Sequence, residues 1–290
     1  MRYPKSALKI DWFFISSLLS SYGLGFILAN RVNKSVSVWV TLAGVVLLLF
    51  PYFFNYFVGG LIRQFNIDSF EVSRMRRAAN LKHYIGVFIS SFLAAGALYI
   101  MLRYHSLQGQ AFLWLLGTVI CQILLLAKPI SYSTLTYQWL IKSFNVAPLA
   151  FFLATTLQGF SPAPALIYLA SALFLGMAAA MITLSYKRYA GDLNRKERTF
   201  LVVIGWEKAI TLHHLLFAGS VASMVIYMLV SNSVNTNWPV LAWQVFGLYE
   251  VYLLEQLARG VKPNYVLLDA LAVFRMLGTL YLLFYALIIH

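Results

Sequence analysis

The sequence predicts an all-α membrane bundle of about nine transmembrane helices around a central cavity. Three observations predict it. The chain is 61% hydrophobic and only 11% charged over 290 residues, where soluble domains carry about 25% charge. Its apolar residues fall in runs near the ~20 residues that cross a bilayer as a helix. The polar stretches between those runs alternate between basic and nearly neutral, as membrane topology requires.

The first span is expected at 12–30, after Arg2, Lys5 and Lys9. A signal peptide also opens this way. Here the apolar run continues to span length and no small-residue cleavage site stands out, so it reads as a retained span. Further spans are expected at 37–61, 84–103, 110–127, 147–160, 164–185, 209–230, 239–258 and 264–289. The fifth is short because Pro148 and the Ser161-Pro162-Ala163-Pro164 turn bound it, and proline breaks the helical hydrogen-bond ladder. Cys121, the only cysteine, excludes an internal disulfide and reads as core packing.

Basic residues orient the bundle. With the N-terminus inside, the inner segments hold 18 Lys and Arg and the outer ones hold 3, namely Arg31, Lys34 and Arg103. The remaining one, Arg275, falls within the last span. This split predicts a cytoplasmic-membrane protein with its N-terminus inside and its C-terminus outside. The net charge of +13 then reads as basic loops facing anionic lipid, with no nucleic-acid partner. Arg74, Arg76 and Arg77 read first as headgroup anchors.

Two inner polar loops, 62–83 and 186–208, are long, and chemistry is expected beneath them. The second, in Tyr186 to Ala209, packs six of the chain's 22 Lys and Arg (Lys187, Arg188, Arg195, Lys196, Arg198, Lys208) with Asp192, Glu197 and Glu207. Within the spans, Glu250, Asp269 and Arg275 are costly charges that must face the interior and pair. A Glu250–Arg275 pair across two helices is the specific expectation. His213 and His214 open the seventh span and read as interfacial packing, since no Cys or third His lies nearby.

Three segments resemble the UbiA family of intramembrane prenyltransferases. Asn55-Tyr56-Phe57 is similar to the start of the family's first Asp-rich motif. Tyr137 to Pro148 is similar to its Tyr-Pro-x-x-Lys-Arg segment, with Lys142 at the basic position. Asp192 matches the last Asp of the second motif, and Arg198, Thr199 and Gly205 match the tail that follows it. The resemblance implies a single UbiA-like transmembrane domain over 1–290. It also implies transfer of an isoprenoid from a prenyl diphosphate, or binding of another anionic isoprenoid lipid, with Mg2+ held by the Asp-rich motifs.

The departures are specific. The family's other acids fall on Gly59, Arg63 and Arg188. A guanidinium repels a metal ion but binds phosphate bidentately. The resemblance therefore implies diphosphate held by Arg63, Lys142, Arg188 and Arg198, with Asn55 and Asp192 as residual metal ligands and a weakened need for Mg2+. For Lys142, snorkelling to the interface stays open as the other reading. A second alignment of the first motif, on Asn66, Asp68 and Glu71, also stays open. So does a family member that has lost the reaction and binds lipid or a partner protein. A transporter is disfavoured by the lack of a broken-helix pair or inverted repeat.

Overall fold

The computed structural model describes residues 11–32, 36–65, 73–107, 109–126 and 135–289. All regular elements among them are helical: α1 (Trp12–Val32), α2 (Val38–Phe65), α3 (Ser73–Arg103), α4 (Gln110–Leu126), α5 (Gln138–Phe144), α6 (Ala150–Leu157), α7 (Pro164–Ser185), α8 (Tyr189–Asn194), α9 (Phe200–Ile204), α10 (Trp206–Val230), α11 (Val234–Trp243), α12 (Val245–Ala258) and α13 (Tyr265–Ile289). Among the described residues, seven helical stretches are long and apolar enough to cross a membrane, and α4 is a shorter apolar helix. The protein is an integral membrane protein. These seven overlap seven of the nine expected spans, and the expected fourth falls on the shorter α4. The eighth is divided at Gln244, between α11 and α12.

Two boundaries differ from expectation. The loop expected at 62–83 is mostly helix, because α2 runs on to Phe65 and α3 begins at Ser73. Residues 73–82 are mainly Arg, Ala, Met, Leu and Lys, which favour helix once outside the bilayer. Asn66, Asp68 and Glu71, like Arg2, Lys5, Lys9, Lys34 and Lys128, lie outside the described residues. The fifth span starts at Gln138 and not at 147. Pro148 does not end it, because a π-helical turn, Asn145–Leu149, joins α5 to α6 and takes up the proline. A π turn relieves the clash and the missing bond that proline brings to an α-helix.

Small residues let the helices approach closely. Gly25 of α1 faces α6, where a Cβ would lie 2.3 Å from the Phe151 carbonyl oxygen. The α1–α6 contact, with α2 on α3 and α7 on α10, forms much of the bundle. The helices alternate in direction, so one end gathers the basic segments and the other the neutral turns. At the neutral end Gln158 ties α6 to the start of α2, accepting from the Ser37 N–H at 3.1 Å and donating to Thr41 at 2.9 Å. A polar cleft of about 540 Å³ opens there, lined in part by Tyr104, His105, Gln110 and Gln158.

The second half of the bundle closes around one buried carboxylate. Glu250 of α12 accepts from Arg275 Nε of α13 at 2.9 Å, from His213 Nε2 of α10 at 3.1 Å, and from the Thr183 hydroxyl of α7. Arg275 also donates to the Gly176 carbonyl at 3.3 Å, and its guanidinium stacks 5.3 Å from the Phe217 ring centroid. Glu250, Arg275 and His213 are all essentially without solvent contact. The expected Glu250–Arg275 pair is therefore present. The interfacial reading of His213 needs correction: α10 begins at Trp206, three residues before the expected start, and His213 sits a full two turns inside. A void of about 10 Å³ adjoins Arg275, Ser220, Gln244 and Thr279, roughly the room of one water.

Removing one partner of such a pair strands a charge in the apolar interior, which costs about 3–5 kcal/mol. Arg275→Met should therefore lower the unfolding midpoint in detergent steeply. The double variant Glu250→Gln/Arg275→Met should recover most of that loss. A double variant as unstable as the single one would show that the charges matter less than the shape of the arginine.

Candidate functional site at the basic end

Four segments distant in sequence meet at the basic end: the start of α1, the middle of α2, α5, and the turn Tyr186–Arg188 after α7. Their junction is Lys142. Its Nζ donates to Asp11 Oδ2 at 2.6 Å and lies 5.8 Å from the Phe14 ring centroid. Phe14 in turn packs on Tyr52 of α2, with centroids 5.3 Å apart. Asp11 is fixed independently of the lysine, because its Oδ1 accepts the Phe14 backbone N–H at 3.1 Å. This is an N-cap: a side-chain oxygen satisfying an orphan donor at the start of a helix.

Burial pushes the Asp11 carboxyl up, but more weakly than its partners pull it down. The Lys142 charge and hydrogen bond, the Phe14 N–H and the more distant Arg188 charge together hold it below the ordinary carboxylate value. Opposite charges and hydrogen bonds to the ionised form both act in that direction.

The polar segment after α7 docks on the segment that leads into Lys142. The Thr136 hydroxyl donates to the Arg198 carbonyl at 2.7 Å, and the Trp139 ring packs on Phe200 at 4.9 Å. The segment folds into α8 and α9, two short helices with Lys196 (φ 55°) in the turn between them. Gly205, at φ 89°, sets the corner from α9 into α10, a conformation that strains any residue with a Cβ. Tyr186 closes the same corner by donating to the Trp206 carbonyl at 3.1 Å. Lys187 reaches Asp269 of α13 at 3.3 Å, which pairs a charge expected inside the last span.

The sequence-predicted residues fall as follows. Lys142 is half-buried and ion-paired rather than snorkelling alone. Arg188 is exposed and close enough for its charge to act on Asp11. Arg198 is exposed, and its backbone is the one bonded by Thr136. Asp192 is buried, and Arg195 donates to its Oδ1 at 2.8 Å. Arg195 also meets Glu197 at 3.1 Å. Asn55, Gly59 and Arg63 lie on the last turns of α2, the helix that carries Tyr52; their side chains are outside the described residues.

Asp11 is the functional candidate that sequence reasoning missed. It left one signal: it is the only acid before Asp68, and it stands directly before an apolar run.

Magnesium needs near-octahedral oxygen ligands, commonly one or two carboxylates plus phosphate and water. Of the acids described here, Asp11 and Asp192 are held by Lys142 and Arg195, so a metal ion at either would have to take the place of that cation. Among the described residues no group of three or more His, Cys, Asp or Glu is arranged for a metal.

Solved structures give the fold a name. A UbiA homolog from Archaeoglobus fulgidus matches over 94% of this chain and 95% of its own, with TM-score 0.58 and 16% identity. The chain has the UbiA fold. Structures of a UbiA homolog from the same organism bound to Cd2+ (TM-score 0.58, 17% identity, 92% of this chain and 96% of that one covered) and to GPP and Mg2+ (0.57, 17%, 94% and 99%) match as well. No family model matches the sequence, and none of the curated proteins matches it. At such identity the likeness is one of helix order and packing.

The lowered Asp11 value carries a sign for stability. A carboxyl depressed on folding contributes stability that is present above its unfolded value and lost as pH falls through its folded value. Wild-type chain should therefore lose stability relative to Asp11→Asn as pH drops below about 4, the ordinary aspartate value. Melting midpoints of both proteins across that range would check it. Parallel pH profiles would show that the Asp11–Lys142 pair adds nothing to folding.

Proposed function

We propose that the chain is a UbiA-like membrane prenyltransferase. It would move an isoprenoid from a prenyl diphosphate to a lipophilic acceptor, aromatic acceptors included, at the cytoplasmic face of its membrane. The observation that carries this reading is the cationic cluster at the basic end of a UbiA fold, with Lys142 at its centre and Arg188 near it. The relative bound to GPP and Mg2+ supports a diphosphate as the donor's polar part.

In this reaction the allylic carbon–oxygen bond breaks and diphosphate leaves with the electron pair. The acceptor's nucleophilic atom forms the new bond to the allylic carbon and gives up its proton. The barrier lies in the charge that develops on the leaving group, so donors aimed at those oxygens do most of the work. Lys142, Arg188, Arg198 and Arg63 are proposed to supply them, with Asn55 and Asp192 as residual metal ligands. Phe14 and Tyr52 would continue the site into the apolar interior, where ring faces stabilise a cation.

Missing acids at 59, 63 and 188, together with the Arg195 hold on Asp192, favour a cation-held diphosphate. They equally favour a second reading, in which the chain binds anionic isoprenoid lipid or a partner protein without turnover. One experiment separates the two. Purified full-length chain is titrated with geranyl diphosphate in magnesium and in EDTA, and pyrophosphate release is followed with a lipid extract as acceptor source.

The expected result is binding that persists in EDTA and weakens about 10- to 100-fold in Lys142→Met, the scale of a charge-assisted hydrogen bond. Release of pyrophosphate supports the transferase, and binding without release supports the second reading. Binding that requires magnesium and ignores Lys142 would overturn the cationic site.

A further inference from the structure

The Asp11 carboxylate has the chemistry of a bound ligand. A carboxylate oxygen and a phosphate oxygen are equivalent acceptors for an ammonium group, and Asp11 Oδ2 occupies Lys142 at 2.6 Å. The carboxylate cannot follow the lysine, because its other oxygen caps α1 through the Phe14 N–H. Any anion that takes Lys142 must displace the Asp11 carboxylate or bind against its charge.

We propose that Asp11 is a specificity-determining residue, an internal anion that keeps singly charged lipid headgroups out of the cationic site and yields only to a more highly charged one. The inference rests on the diphosphate reading above. A basic site at a membrane surface faces anionic phospholipid in great excess, attracted by roughly 1 kcal/mol for each Lys or Arg near the surface. A phosphodiester carries one negative charge, so exchanging it for the Asp11 carboxylate gains no charge. A diphosphate carries up to three and can satisfy Lys142 and Arg188 together. Asp11 therefore raises the threshold for both ligands equally, and only the diphosphate has charge to spare above it.

The test uses the full chain in nanodiscs of phosphatidylcholine alone, or of phosphatidylcholine and phosphatidylglycerol in equal parts. Asp11→Asn is the informative variant, because asparagine still caps a helix while losing the charge. Two measurements are made: phosphatidylglycerol retained on the protein by native mass spectrometry, and the Kd for geranyl diphosphate in each lipid.

In wild type, phosphatidylglycerol should be poorly retained and should barely alter the Kd. In Asp11→Asn, retention should rise, and phosphatidylglycerol should weaken geranyl diphosphate binding about fivefold, the scale of one partly exposed ion pair. Adding Lys142→Met to Asp11→Asn should abolish the gain in lipid retention. Equal retention by wild type and Asp11→Asn overturns the inference, as does a gain that survives Lys142→Met. Failure of wild type to bind geranyl diphosphate in either lipid overturns the diphosphate reading instead, and the lipid-retention arm then reads Asp11 on its own.

Discussion

A charge removed from water must meet its opposite before the helices around it can close, and this constraint organises the whole bundle. Glu250 shows it most plainly. It draws Arg275, His213 and Thr183 to one carboxylate and so fixes α7, α10, α12 and α13 against each other. Hydrophobic burial cannot set that register in a membrane, because lipid is as apolar as the helix faces. A directional, desolvated pair can, since any slippage would leave the ionised groups unsolvated.

The same constraint acts at the basic end with less burial and more consequence for chemistry. Lys142 and Asp11 join the fifth span to the first across 131 residues. Lys187 and Asp269 join the polar segment to the last helix, and Asp192 and Arg195 hold that segment's own turn. These pairs are partly open to solvent, so each contributes little to stability. Their effect is positional. They gather cations at one end of the bundle, yet leave them exchangeable, which a fully buried pair could not be.

This division separates what holds the helices together from what the basic end attracts. Exchanging a charged group at the basic end would alter what that end attracts, a metal ion or phosphate. It leaves untouched the buried Glu250 network and the close α1–α6 contact at Gly25, which hold the helices in place. Fold and site chemistry rest on different residues, so one can drift without the other.

Composition and hydrophobic run length alone determined that the chain is a helical membrane bundle, and roughly where seven of its long apolar helices lie. Both follow from the cost of exposing polar backbone to lipid, which acts on each segment separately. The need for Glu250 and Arg275 to pair was legible for the same reason: a lone charge at that depth is untenable. Only the tertiary structure decided which partners met. The ion pair of Asp11 depends on Lys142 lying on a helix that starts at Gln138, in a span that continues past Pro148 through a π turn, an irregularity that periodicity cannot signal. His213 looked interfacial because the corner at Gly205 was invisible in one dimension. Contacts between residues over a hundred positions apart are set by packing, and no local pattern in the chain encodes them.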